Sequence, residues 1–259
     1  MKDCIEFQDE DILVSEFHRF LVQETDMGWF KQYVTITYKN KIENFNVRIL
    51  WLPTNNPAPI HKISGPGIIE FTDPIKSTRF TITRGDLVFT PERMGIDSLE
   101  QRWSLLDKTF ELQFETRAIK DRITVGSVTE PFFFYDVDFD NDPELLITEV
   151  AAGQQLSNTY KVYNLDESSF ASDSDQITNL KPFSLLNDFT EFNKMDKTIH
   201  IDNYLGGGNT ETSIYKKVNP SEFKLISIIK YSWEEKVTFE FVDDEMIEVK
   251  SEQINEYNN

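Results

Sequence analysis

Bulky apolar residues alternate with polar residues along most of the chain, which is the pattern of strands buried on one face. Residues 33–38 and 44–52 alternate in this way, and the polar residues between them predict a β-hairpin. Arg84-Gly85-Asp86 lies between two more such stretches and predicts a second tight turn, because Gly and Asp favour turns. Further strand patterns cover residues 110–118, 121–128, 131–137, 144–151, 158–165, 197–205, 213–218, 223–233 and 236–242. The chain is therefore predicted to be mainly β and built from antiparallel sheets.

Two segments depart from this alternation. Residues 9–25 predict a short amphipathic helix, because their apolar residues recur at helical spacing after an acidic start. Those apolar residues are Leu13, Phe17, Phe20 and Leu21. Residues 166–196 are rich in Ser, Asp and Asn and predict a long connection with one helical turn.

We expect two domains, an N-terminal antiparallel β region over residues 1–125 and a C-terminal module over residues 126–259. The C-terminal module contains a faint internal repeat at an offset of 55 residues. Gly153, Tyr160, Lys161 and Asn164 fall on Gly208, Tyr215, Lys216 and Asn219. Because strand sets that repeat every 40–60 residues are typical of propeller blades, this repeat favours a propeller-like module with few blades.

The charge balance narrows the choice of partner. The chain has 45 acidic and 26 basic residues, a formal net charge of −19. Nucleic acids and anionic membranes bind through positive charge, so both are disfavoured. An acidic surface would accelerate the encounter with a basic protein, although it would equally serve solubility alone. We expect a protein partner that is basic.

The sequence also suggests where the protein resides. It has no apolar run near the length of a membrane span, about 20 residues. The first residues, MKDCIEFQDEDILV, lack the basic and apolar regions of a secretory signal, and the one cysteine, Cys4, excludes an internal disulfide framework. We therefore expect a cytoplasmic protein. A periplasmic or surface location is the alternative, with Cys4 as the remnant of a lipoprotein cysteine.

Residues 132–147, FFFYDVDFDNDPELLI, contain the most specific chemical signal. Five acidic residues occupy alternate positions and are bracketed by apolar residues; they are Asp136, Asp138, Asp140, Asp142 and Glu144. Each pair of such charges at about 4 Å repels by about 1–4 kcal/mol at high to intermediate dielectric. This repulsion favours a bound cation.

The spacing of the acidic residues resembles that of a calcium loop. Counted from Asp136, oxygen donors fall at positions 1, 3 and 5, the backbone carbonyl of Asp142 at 7, and Glu144 at 9. Asn141 stands at the sharp turn, where it is expected to adopt a positive φ. Position 12 is Ile147 instead of Glu, so the sequence predicts a strand–loop–strand site closed by Glu144, not an EF-hand. A structural staple, a regulatory switch and an ion-free solvated loop all stay open.

The stretch DVDFDNDPELLI resembles the calcium loop of FG-GAP and VCBS repeats. Together with HIDNYLGGGNTETSIYKKV it is similar to a bacterial family of truncated-propeller proteins, over about residues 130–235. That family includes periplasmic inhibitors of cell-wall lytic enzymes and proteins found beside secreted toxins. The resemblance implies an incomplete β-propeller and Ca²⁺ bound by Asp136, Asp138, Asp140, Asp142 and Glu144. This chain departs from the pattern with Asn141 in place of Gly.

Three classes of function follow from these features. The first is a non-enzymatic binding protein, an immunity or inhibitor protein that neutralises a basic secreted toxin. The second is an exported calcium-dependent adhesion module or lytic-enzyme inhibitor. An enzyme is disfavoured, because His18, His61 and His200 are far apart and no HExxH, GxSxG or Cys–His pattern is present. The glycine run 206–208 predicts a turn between strands, not a phosphate-binding loop.

Overall fold

The structure of the chain is a computed structural model. The structure describes residues 11–24, 32–54, 63–96, 99–114, 130–150, 158–164, 181–220, 222–242 and 245–254. These residues form mainly β structure with one α-helix, which confirms the predicted fold class. They divide into two compact units, one within residues 11–114 together with residues 130–131, the other within residues 132–254. No helix among them is long and apolar enough to span a membrane.

The first unit contains a five-stranded sheet and a helix. The strand order is β4-β3-β2-β1-β5, antiparallel except for the pair β1–β5. The bounds are α1 Ile12–Glu24, β1 Val34–Tyr38, β2 Asn46–Trp51, β3 Ile63–Asp73, β4 Thr78–Phe89 and β5 Thr109–Leu112. Two 3₁₀ helices, Pro91–Met94 and Leu99–Leu105, lie between β4 and β5. The β1–β2 hairpin is confirmed.

The predicted amphipathic helix is also confirmed as α1. Leu13, Phe17 and Leu21 lie on one face of this helix and are buried. They pack against Leu50 and Ile68 of the sheet. Because the residues recur every four positions, one stripe of the helix enters the core while the other side meets solvent.

Asp11 caps the start of this helix. Its Oδ1 accepts a hydrogen bond from the backbone N–H of Leu13 at 3.0 Å and from Arg48 Nη2 at 2.8 Å. The hydrogen bond from Arg48 is the main cause that lowers the pKa of Asp11. The carboxylate therefore serves both as a helix cap and as the partner of a sheet arginine.

Replacing Asp11 by Ala is expected to lower the free energy of unfolding by about 1–2 kcal/mol, the usual cost of losing a cap. Because the folded pKa lies below the unfolded one, the ionised carboxylate stabilises the fold above its unfolded pKa, about 4, and this contribution is lost as pH falls. Urea unfolding at pH 7 and pH 3 measures both effects. Asp11→Asn keeps a cap acceptor without a charge, so it should lose less stability at pH 7. Equal losses for both variants would contradict the cap.

The turn predicted at Arg84-Gly85-Asp86 is wrong. These residues lie inside the continuous strand β4. Opposite them the register shifts, since Gly65 pairs with Leu87 whereas Gly67 pairs with Arg84. One extra residue on β4 therefore forms a β-bulge. Gly and Asp suit a bulge as well as a turn, and the long partner strand β3 keeps β4 paired on both sides of it.

The second unit contains a three-stranded sheet of order β6-β7-β8 and a six-stranded sheet of order β14-β13-β12-β11-β10-β9. All of their pairings are antiparallel. The bounds are β6 Phe132–Tyr135, β7 Glu144–Val150, β8 Asn158–Tyr163, β9 Thr190–Asn193, β10 Thr198–Gly206, β11 Asn209–Asn219, β12 Glu222–Tyr231, β13 Glu235–Val242 and β14 Glu245–Gln253. The antiparallel prediction is confirmed here, while β9 and β14 were not foreseen.

The offset of 55 residues found in the sequence relates elements of the second unit. It carries β7 onto β10 and β8 onto β11. Both pairs are adjacent and antiparallel in their own sheets. The faint sequence repeat therefore coincides with a repeated pair of antiparallel strands.

The long connection predicted over 166–196 is only partly correct. Residues 181–189 contain one 3₁₀ turn, Phe183–Leu185, in agreement with the prediction. Residues 190–193 form strand β9, which contradicts it. The predicted strand over 121–128 lies outside the described residues, as do Cys4 and His61.

Candidate metal centre

The acidic loop connects two neighbouring antiparallel strands, β6 and β7. Tyr135 at the end of β6 pairs with Glu144 at the start of β7, so residues 136–143 form the loop between them. The strands themselves are anchored in the core, because Phe132, Leu145 and Ile147 are fully buried. The apolar residues on both sides of the acidic run therefore fix the two ends of the loop.

Three of the five acidic side chains converge. Asp136, Asp138 and Glu144 each place one carboxylate oxygen within 4.8 Å of the other two. Glu144 Oε2 accepts a hydrogen bond from the backbone N–H of Val137 at 2.8 Å, which directs its carboxylate across the loop. Asp136 Oδ1 accepts one from the backbone N–H of Asp140 at 3.0 Å.

Burial makes this convergence electrostatically expensive. Glu144 is 3% exposed and Asp136 is 9% exposed. Desolvation, with a smaller contribution from repulsion by the neighbouring aspartates, raises the pKa of Glu144 to about 8. Desolvation also raises the pKa of Asp138, followed by repulsion from Asp140. A positive charge near these oxygens would remove both costs.

The other two predicted ligands lie differently. Asp140 and Asp142 are exposed, and their side chains do not belong to the group of three converging carboxylates. Asp140 Oδ1 instead accepts the backbone N–H of Asp142 at 2.8 Å and so shapes the turn. For Asp142 the sequence predicted a contribution through the backbone carbonyl, which does not require its side chain to converge.

The backbone of the loop turns at two residues of positive φ. Asn141 has φ 74°, which confirms the prediction that it takes the place of glycine at the sharp turn. Phe139 has φ 64°, which the sequence did not predict. Its ring is nearly buried, with ring centroids 6.3 Å from Phe192 and 6.2 Å from Phe223. This packing offsets the cost of the strained backbone.

Two lysines that sequence reasoning missed lie beside the carboxylates. Lys217, on β11, donates a hydrogen bond to the backbone carbonyl of Asp138, and its Nζ is 3.5 Å from Asp138 Oδ1. Lys194, in the turn after β9, places its Nζ 3.7 Å from Asp136 Oδ2 and is largely exposed. The Lys-Lys pair at 216–217 in an otherwise alternating strand was the available signal, because it puts one lysine on each face.

The loop residues fit a Ca²⁺ ion. Asp138 Oδ1 is buried, and its ion pair with the Lys217 ammonium is 3.5 Å long, so this oxygen retains acceptor capacity inside the loop. Hard oxygen donors of this kind are the ligands that Ca²⁺ prefers. Asp136, Asp138 and Glu144 would hold the ion. Bound there, it would supply positive charge that joins the ends of β6 and β7.

The remaining candidate residues from the sequence lie outside this loop. His18 is on α1, whereas His200 is on β10 with its Nε2 3.1 Å from Thr198 Oγ1. Gly206, Gly207 and Gly208 all have positive φ and turn the chain between β10 and β11, as predicted.

Comparison with known proteins gives a likeness of fold. Neither a protein-family model nor a curated protein sequence matches the chain. One solved structure is similar, a type IV secretion system related protein from Xanthomonas. The similarity has a TM-score of 0.54 with 12% sequence identity, and it covers 83% of this chain and 93% of that protein. At this identity the likeness shows a shared fold and nothing finer.

Proposed function

We propose that this chain is a non-enzymatic binding protein, an immunity or inhibitor protein that neutralises a basic secreted partner. Its acidic loop holds Ca²⁺ as a structural ion, and the second unit is an incomplete β-propeller of the truncated type. We assign Ca²⁺ a structural role, holding strands β6 and β7 together, because the converging carboxylates lie at or near the strand ends and are largely buried.

The observation that carries the binding role is the exposed end of the six-stranded sheet. All nine residues of β14 are exposed. They include Met246, Ile247 and Val249, whose apolar side chains meet solvent. Exposed apolar residues grouped on one element are typical of protein-contact surfaces. The acidic net charge of −19 then favours a basic protein as the one that covers them.

The likeness of fold also supports a protein-binding role. The similar structure is described as a protein related to a type IV secretion system. A chain of that fold, with a strongly acidic surface, is suited to bind a protein handled by such a system. Cytoplasmic residence, as expected from the sequence, would place the neutralising protein in the cell that makes the toxin.

The alternative is an exported calcium-dependent adhesion module or lytic-enzyme inhibitor. The acidic loop favours it, because extracellular calcium sites function at dissociation constants of about 10⁻⁴–10⁻³ M. A loop with three converging carboxylates and two neighbouring lysines would bind in that weaker range more readily than in the tight cytosolic range.

The product of the adjacent reading frame is the partner to test first. Mixed with this protein, a basic toxin enzyme should elute as one complex in size-exclusion chromatography and lose its enzymatic activity. Association should slow as salt rises from 50 to 500 mM, because screening weakens the attraction of opposite charges. An unrelated protein of equal acidity is the control. Absence of a complex at low salt, or equal inhibition by the control, would refute the proposal.

A further inference from the structure

A cleft lies on the six-stranded sheet, and its described lining includes no residue of the acidic loop. Its volume is about 610 Å³, within the range of small-ligand pockets. It is lined by Phe189, Asp202, Asn203, Tyr204, Thr210, Thr212 and Tyr231. All of these residues belong to β10, β11, β12 or the segment just before β9.

The pairing of the strands explains the shape of the cleft. Tyr204 pairs with Thr210, and Thr210 pairs with Tyr231, so the three side chains form one row across β10, β11 and β12. Neighbouring strands are about 4.8 Å apart, so the two tyrosines stand about 10 Å apart with a small threonine between them. Asp202 and Thr212 form the next row on the same face. The cleft therefore has aromatic sides and a carboxylate near its floor.

The carboxylate of Asp202 is held in place. Thr212 Oγ1 donates to Asp202 Oδ1 at 2.6 Å, and Asn187 Nδ2 donates to the backbone carbonyl of Asp202 at 3.0 Å. An ionised carboxylate has about four lone-pair sites, so one threonine hydroxyl leaves acceptor capacity for a ligand. The position of the charge is thus set before any ligand arrives.

The aromatic rings offer faces that attract cations. Lys236 Nζ already lies 5.3 Å from the centroid of the Tyr231 ring. Tyr204, on the other side of the cleft, is 46% exposed, and its hydroxyl accepts a hydrogen bond from the backbone N–H of Gly208 at 3.2 Å. The ring of Tyr204 is therefore anchored at its tip while much of its surface meets solvent.

Trp233 extends this aromatic surface beyond the cleft. Its indole N–H donates to the carbonyl of Gly207, and the ring lies so close to Gly208 that a Cβ there would overlap it. Trp233 is nevertheless 64% exposed, and Leu205, near the end of β10, is exposed as well. Exposed Trp and Tyr on a rigid turn are the residue types that dominate protein interfaces.

We propose that this cleft receives an arginine side chain of the protein partner, with Asp202 as its counter-ion and Tyr204 as its stacking surface. This proposal rests on the proposed binding function. A guanidinium group pairs with a carboxylate through a planar fork and stacks on aromatic faces at the same time. A sugar would also stack on tyrosine, but the fixed carboxylate and the net charge of −19 favour the cation.

The test adds N-acetyl-arginine methylamide as a probe to the intact protein. Binding is detected by the shifts of the backbone amide NMR signals. Saturable shifts are expected at residues 202–204, 210–212 and 231, and the neutral citrulline analogue should give none. Asp202→Asn should lower the affinity for the arginine probe by about tenfold or more, as expected for losing a charged hydrogen bond. Tyr204→Ala should lower the affinity for the arginine probe by a smaller factor. Glu222→Gln, exposed at the end of β12 far from Tyr231, is the control and should leave binding of the probe unchanged.

Either of two kinds of outcome would overturn the proposal. One is equal binding of the arginine and citrulline probes, or no effect of Asp202→Asn while its melting temperature is unchanged. The other is saturable binding of N-acetylglucosamine in the cleft without binding of the arginine probe, which would make it a glycan site. If the probe binds as expected but the toxin enzyme forms no complex with the unsubstituted protein, the proposed function fails and the cleft assignment stands.

Discussion

Calcium at a free concentration about 100 times its dissociation constant is expected to raise the melting temperature by about 5–10 °C, the shift for about 2.7 kcal/mol of ligand stabilisation in a domain of this size. The reason is that burial and mutual repulsion disfavour the ionised forms of Asp136, Asp138 and Glu144, and a divalent ion would stabilise those forms. Differential scanning calorimetry with calcium and with chelator measures the shift.

Two variants decide whether the ion binds where we propose. Asp136→Asn removes a converging carboxylate charge and should abolish the response to calcium. Asp142→Asn is the matched control, since its side chain is exposed and only its backbone carbonyl is an expected ligand. It should keep most of the response. An identical melting curve of the unsubstituted protein in millimolar calcium and in chelator would rule out the structural ion.

Asp188→Ala is expected to lower the free energy of unfolding by about 3–5 kcal/mol, because each of three buried donors left without an acceptor costs about 1–3 kcal/mol. Asp188 is 1% exposed, and its Oδ2 accepts hydrogen bonds from the backbone N–H and side-chain amide of Asn158 at 2.8 and 2.7 Å. Its Oδ1 accepts one from the hydroxyl of Tyr160. The substitution leaves three donors without an acceptor in the interior.

Urea unfolding of three variants measures this network. Asp188→Asn keeps one carbonyl acceptor and should fall between the Ala variant and the unsubstituted protein. Glu149→Ala, which removes the half-buried ion pair with Lys161 at 3.6 Å, should cost about 1 kcal/mol or less. If Asp188→Ala lowers the free energy of unfolding by less than about 1 kcal/mol, the network has no structural role. A loss that small is usual for a surface ion pair.

The parts of the fold that the sequence predicted correctly depend on local patterns. Helix α1 follows from apolar residues every four positions, and the β1–β2 hairpin from alternation on both sides of a polar stretch. Strand β14 escaped prediction because its charged residues interrupt the alternation and none of its side chains is buried. At Arg84-Gly85-Asp86 the local turn signal gave way to pairing with β3, which no local pattern reports.

In the candidate metal site, too, the features set by local sequence could be predicted, and those set by tertiary contacts could not. The positive φ of Asn141 and the convergence of Asp136 with Glu144 follow from a loop between paired strands, which the spacing in the sequence indicated. The exposed positions of Asp140 and Asp142 depend on backbone hydrogen bonds within the turn. Lys217 reaches the loop from another sheet, so only the tertiary structure reveals it.

The distance along the chain between the loop and its lysine bears on how the protein is made. Lys217 is 79 residues beyond Asp138, to whose carbonyl it donates. On the ribosome, the acidic run leaves the exit tunnel seconds before β11 does, since synthesis adds about 5–20 residues per second. During that interval the nascent loop has no internal counter-charge from β11. If Ca²⁺ binds the loop as we propose, a dissolved ion would close it before Lys217 is made, and metal supply would then influence the folding yield.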